Sequence, residues 1–177
     1  MKKGFIFLAL FVTFILLYLL QANFFNWFTI AGIKPNLFII LILFIGLFAG
    51  KHVGVTSGIF CGLLLDLWIG KKLGISAMLL GTIGFLGGYF DKNFSKESRI
   101  TIMLMVMGAT VIFEVGSFCL YAMIFSYSID LVGVVTKLLI EILYNVILTI
   151  IFYPFMQKAG FAIEEVLKGK KILTRYF

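Results

Sequence analysis

The chain has 177 residues, of which 62% are hydrophobic and only 13% charged, with a formal net charge of +7. Soluble domains carry roughly 45–50% apolar and about 25% charged residues, so this composition excludes a water-borne globular fold and points to the membrane. Each helical span takes about 20 apolar residues to cross about 30 Å of hydrocarbon, which leaves room for one bundle of spans and no second large domain.

In chain order, Lys2 and Lys3 precede an apolar run that starts at Gly4. Signal-peptide cores run about 7–15 residues and end at small residues; this run is longer, so the spacing predicts an uncleaved first span over about 4–22. Phe24, Phe25, Trp27 and Phe28, mixed with Asn23, Asn26 and Thr29, have the amphipathic aromatic character of a membrane interface. Lys34-Pro35-Asn36 then breaks the backbone, because proline suits a helix start and restricts the residue before it. Further spans are predicted over about 37–50, 53–69, 73–90, 100–125 and 131–155, separated by Lys51-His52, by Gly70-Lys71-Lys72 and by the charged stretch from Asp91 to Arg99. The expected fold class is all-α, a single six-helix transmembrane domain over 1–156 followed by a basic amphipathic tail over 157–177.

Basic residues in short loops stay on the cytoplasmic side. Six spans with both ends in the cytoplasm put Lys2, Lys3, Lys51, Lys92, Lys96, Arg99, Lys158 and the tail cations inside, and leave only Lys34, Lys71 and Lys72 outside. Lys137 falls within the sixth span. The tail interleaves Lys158, Lys168, Lys170, Lys171 and Arg175 with Phe161, Val166, Leu167, Ile172 and Leu173. Such a tail either binds anionic lipid or is a solvated end that sets topology. Cys61 and Cys119 lie in apolar runs and read as packing residues, and His52 reads as a solvated loop histidine. No metal site and no cofactor are expected.

Gly54, Gly58, Gly62, Asp66 and Gly70 recur every four residues along the third span, so they share one slowly drifting helix face, with Gly74 beyond them. Small residues on one face let another helix approach closely, and Gly81, Gly84 and Gly88 repeat the device on the fourth span. The two spans are expected to pack on each other or on a partner. An intramembrane carboxylate at Asp66 is costly unless paired, and two roles are open: a functional or architectural one, or a cap on the following turn. Glu114, near mid-membrane in the fifth span, is either hydrogen-bonded to a neighbouring helix or a proton or cation site. Lys137, Glu141 and Asn145 share a face of the sixth span at i, i+4, i+8, and Lys137 and Glu141 can neutralise one another. Nucleophile elbow, P-loop and H-E-x-x-H signatures are absent, and Asp66, Glu114 and Glu141 are expected at different depths, so no enzyme is expected.

Three stretches resemble the bacterial rod shape-determining family MreD over nearly the whole chain. Lys34-Pro35-Asn36-Leu37 is similar to the family's [RK]-P-[DN]-L opening of the second span, with Asn36 where Asp is common. Gly54 to Ala77 resembles the family pattern G-x-x-x-G-F-x-x-G-L-x-x-D-x-x-x-G-x-x-L-G, with the usual Phe displaced so that Ile59 precedes Phe60. Glu141 to Asn145, E-I-L-Y-N with Tyr144 inside it, is followed by Tyr153-Pro154. The resemblance implies a non-enzymatic component of the cell-elongation machinery in the cytoplasmic membrane. Its implied partners are MreC directly and, indirectly, MreB, a RodA-type glycosyltransferase and a penicillin-binding transpeptidase. It also implies a fold similar to the six-helix substrate-binding subunits of energy-coupling-factor vitamin transporters.

That similarity supplies the alternative, a vitamin-binding subunit with an outward pocket lined by Glu114, Asn145 or Trp68. The A-x-x-x-A docking motif of such subunits is missing, since Ala9 is followed by Thr13. The scaffold reading instead expects the glycine stripe and Asp66 to face a partner's single transmembrane helix. A proton or ion pathway through Glu114 is the third class.

Overall fold

The continuous apolar runs form six helices: α1 (Lys2–Leu19), α2 (Leu37–Ala49), α3 (Lys51–Ile69), α4 (Ile75–Asn93), α5 (Arg99–Phe125) and α6 (Leu131–Lys168). They are seen in a computed structural model that describes residues 2–69, 73–93, 96, 98–125 and 131–168, among which there is no strand. Stretches from α1, α5 and α6, namely Leu8–Trp27, Arg99–Ile124 and Leu131–Leu167, are long and apolar enough to cross a bilayer, so the protein is an all-α, membrane-embedded bundle.

The central element is α2. All 13 of its residues are buried. Its sequence, LFIILILFIGLFA, is apolar on every side, the pattern of a helix surrounded by other helices. At about 1.5 Å per residue it reaches only about 20 Å, less than a bilayer's hydrocarbon, so its ends lie inside the bundle.

A single residue, Gly50 at φ 92°, separates α2 from α3, and a positive φ is cheap only for glycine. The expected turn at Lys51-His52 is therefore the first turn of α3, with His52 exposed. From there α3 returns along α4 with almost no side chain between them. A Cβ built on Gly54 would stand 2.5 Å from the Gly84 carbonyl oxygen, and one on Gly58 would run into the Leu80 carbonyl. Gly62 meets the Ala77 backbone in the same way, and Gly88 meets Lys51. Small residues make this approach possible, and dispersion between the close-packed backbones holds it.

The last helix does not stop at the predicted end of the sixth span. Pro154 lies inside α6, which continues to Lys168, so 157–168 of the predicted tail is helix and 169–177 falls outside the described residues. The extension is anchored on two partners, Phe48 and Lys96. Gly160 fits against the Phe48 ring, Phe161 packs edge-on to the same ring at 5.3 Å, and Glu164 accepts from Lys96 at 2.8 Å. Lys96 also pairs with Asp91 and lies 5.3 Å over Phe48, which ties α4, the α4–α5 connection and α6 together.

Candidate functional site

Because α2 begins inside the bundle, its first N–H groups cannot rely on water, and each unmatched donor in an apolar interior is costly. Distant side chains supply the acceptors. The Asn36 N–H donates to Asn145 Oδ1 at 2.9 Å, and the Leu37 N–H donates to Gln21 Oε1 at 3.0 Å. Asn145 is fully buried; its Nδ2 donates to Thr110 Oγ1 at 3.0 Å, while the Thr110 hydroxyl donates to the Val106 carbonyl at 2.8 Å. One asparagine thus joins α2, α5 and α6. The neighbouring Tyr144 hydroxyl donates to the Phe28 carbonyl and fastens the aromatic segment that leads into α2. Pro35 is buried at this entry, and Lys34 donates to Asn26 on the outside of it. The two short motifs of the sequence, K-P-N-L and E-I-L-Y-N, therefore meet and complete one another.

Beside this cap lie the charges. Lys137 Nζ is 2.5 Å from Glu114 Oε2, with the lysine side chain 50% exposed and the glutamate 8%. The expected neutralisation of Lys137 by Glu141, one turn away on the same helix, gives way to this pair across to α5. Glu141 is instead buried beside the side chains of Glu114 and Asn36. Glu114 and Glu141 were expected at different depths, and here the structure corrects the reading. Both lie roughly ten residues, about 15 Å, from the α5–α6 connection, so the antiparallel hairpin brings them level. Counting depth for each helix from its own start missed the hairpin.

Asp66 belongs to a different structure. Its Oδ2 accepts the Gly74 N–H at 2.8 Å and the Ser76 N–H at 3.2 Å, so it caps the entry to α4 from the end of α3. A carboxylate is favoured at a helix start by the free N–H groups and the helix dipole. Of the two roles open for Asp66, the cap is the one seen. Gly74, at φ 105°, forms the turn itself and is not part of a helix face. Gly70, Lys71 and Lys72 lie outside the described residues. The expectation that the glycine stripe faces a partner's helix is also corrected: α4 of the same chain covers Gly54, Gly58 and Gly62.

Trp68 stacks against Tyr18 and Phe14, at 4.3 and 6.0 Å, so this expected pocket residue belongs to the packing of α1 on α3. Asn145 and Glu114, the other two, are engaged by the chain's own groups. Sequence reasoning missed Thr110 and Gln21. Thr110 carries a signal, since it stands four residues before Glu114 and so shares its face of α5. Gln21 closes an apolar run with no periodicity to mark it. No group of three or more His, Cys, Asp or Glu side chains that could hold a metal occurs among the described residues.

Residues 1–159 match the family of the rod shape-determining protein MreD, a stretch that contains both the α2 cap and the charged seam. The chain belongs to the MreD family. It is thus a shape-determining membrane protein of a family that works in the cell-elongation complex. No curated protein and no solved structure matches it, and the likeness to vitamin-transporter subunits remains an expectation.

Proposed function

We propose that this MreD is a non-enzymatic scaffold that binds an MreC-type single-span protein. Through it, the chain helps to organise peptidoglycan synthesis by the MreB, RodA-type and penicillin-binding partners. Both termini lie in the cytoplasm in this reading, and six spans cross the membrane. The supporting observation is an apolar groove with Gly108 and Ala109 among its lining residues. Gly46, Gly54, Gly58, Gly62, Gly84, Gly87 and Gly88 all have another backbone at the position of the missing Cβ, whereas nothing lies within 4 Å of it at Gly108. A glycine inside a helix costs about 1 kcal/mol relative to alanine, and within this chain no contact of Gly108 compensates. Gly108 lines a cavity of about 280 Å³ with Leu86, Phe90, Thr101, Leu104, Ala109 and Ile112, open between α4 and α5. Close approach of a second transmembrane helix is what such a groove permits.

Cysteine crosslinking tests this in a Cys61→Ala, Cys119→Ala background. Gly108→Cys and Leu104→Cys are expected to crosslink to the MreC span, while Leu139→Cys, on an exposed face of α6, is not. Co-purification of MreC with no crosslink from either groove position would remove the groove; failure of MreC to co-purify would remove the scaffold reading itself.

A further inference from the structure

The charged seam does not balance. Glu114 is answered by Lys137, but among the described residues no ion pair reaches Glu141, which is buried beside Glu114 one turn along α6 from both Lys137 and Asn145. Two buried oxygens in the same cluster also have no partner: Oε1 of Glu141, a residue only 3% exposed, and Oδ1 of Asn36, the amide that contacts Glu141. Buried polar atoms are matched in nearly all folded proteins, so two adjoining unmatched acceptors beside an excess carboxylate mark a place for something positive.

The other groups around Glu141 do not supply that charge. From α6 itself comes Lys137, already on Glu114; from α5 come Glu114 and the uncharged Thr110; Asn36 comes from just before α2, and Gln21, just past the end of α1, has its Oε1 held by Leu37. Tyr121, farther along α5, is linked electrostatically to Lys137 and Asp66 and carries no positive charge. The arithmetic leaves two carboxylates against one ammonium.

We propose that Asn36, Glu114 and Glu141 form a buried site for one exchangeable unit positive charge, either a proton or a sodium ion, reached along the half-exposed Lys137. Its occupancy bears on the entry to α2, since the same Asn36 accepts this charge through its side chain and is anchored to Asn145 through its backbone. Emptying the site sets two carboxylates against each other between α5 and α6, and the segment 28–36 loosens first, because Asn36 and the Tyr144 contact to Phe28 both hold it.

The full chain in nanodiscs is examined by infrared spectroscopy in the carboxyl stretching region, with choline chloride or sodium chloride at equal ionic strength. A deuterium-sensitive band of one protonated carboxyl, titrating with pH, lost in Glu141→Gln and unchanged by sodium, identifies a proton. The same band diminished when sodium replaces choline identifies sodium competing for the site. Glu114→Gln makes the same assignment should Glu141→Gln fail to fold, and the wild-type pH and sodium series needs no variant. Absence of a protonated-carboxyl band in the wild type together with no response to sodium overturns the proposal, as does a band that persists undiminished in both variants.

Discussion

On its two sides α2 is held by opposite means. Toward α4, Gly46 and the Leu43–Leu47 stretch meet Gly84, Gly87 and Gly88 backbone to backbone, with dispersion as the attraction and no polar side chain involved. At its N-terminal end, side chains from α6 and from just past α1 cross the bundle to satisfy two N–H groups. The first contact depends on the absence of atoms and the second on the presence of particular ones. A glycine face therefore fails by overcrowding, all at once, while the polar seam fails one hydrogen bond at a time.

The largest effect is expected from Gly84→Leu. The first side-chain atom would collide with the Gly54 carbonyl, which belongs to a backbone and cannot rotate away. Overpacking costs about 1–3 kcal/mol where side chains can yield, so about 3 kcal/mol or more is expected here, read as a lowered thermal unfolding midpoint. A variant that melts with the wild type would show that α3 and α4 do not touch in the membrane.

A smaller and more local loss is expected from Asn145→Leu, which keeps the branched outline and removes the acceptor for the Asn36 N–H. An unmatched buried donor costs about 1–3 kcal/mol. Hydrogen exchange should quicken at Asn36 and across 28–36 while α3 and α4 keep their protection. Uniform loss of protection over all helices would instead mean that the seam and the glycine face are one cooperative unit.

The same contrast explains what the sequence made legible. Glycine spacing at i, i+4 already expresses a helix face, and an apolar bundle follows from composition, so the class of the fold and the packing surface on α3 were readable. That α4 and not a foreign helix covers the surface was open, because a face does not name its occupant. The seam was readable only as a row, Lys137, Glu141 and Asn145 on one side of α6. Its partners lie 23 and 109 residues away, at Glu114 and Asn36, and no periodicity carries such a pairing. Asp66 misled for a related reason: a carboxylate in an apolar run looks intramembrane and costly, yet the backbone of the next turn folds back onto it. The run of α6 past Pro154 was not legible either, since contacts of Gly160, Phe161 and Glu164 outweigh the one hydrogen bond a proline removes.

The smallest effect separates the two pairings open to Lys137. Removing one partner of a fully buried ion pair is strongly destabilising, but the Lys137 side chain is 50% exposed, which brings the expected coupling with Glu114 down to about 1 kcal/mol. In a double-mutant cycle, Lys137→Met should destabilise the wild type more than it destabilises Glu114→Gln, by that amount. Glu141→Gln should show less coupling to Lys137→Met, because the lysine's ion pair is with Glu114 and Glu141 feels it from farther away. Coupling that appears with Glu141 and vanishes with Glu114 would restore the one-turn pair along α6, and with it the excess charge would move to Glu114. The seam would then be a property of one helix, and only the Asn145 cap would still join α6 to α2.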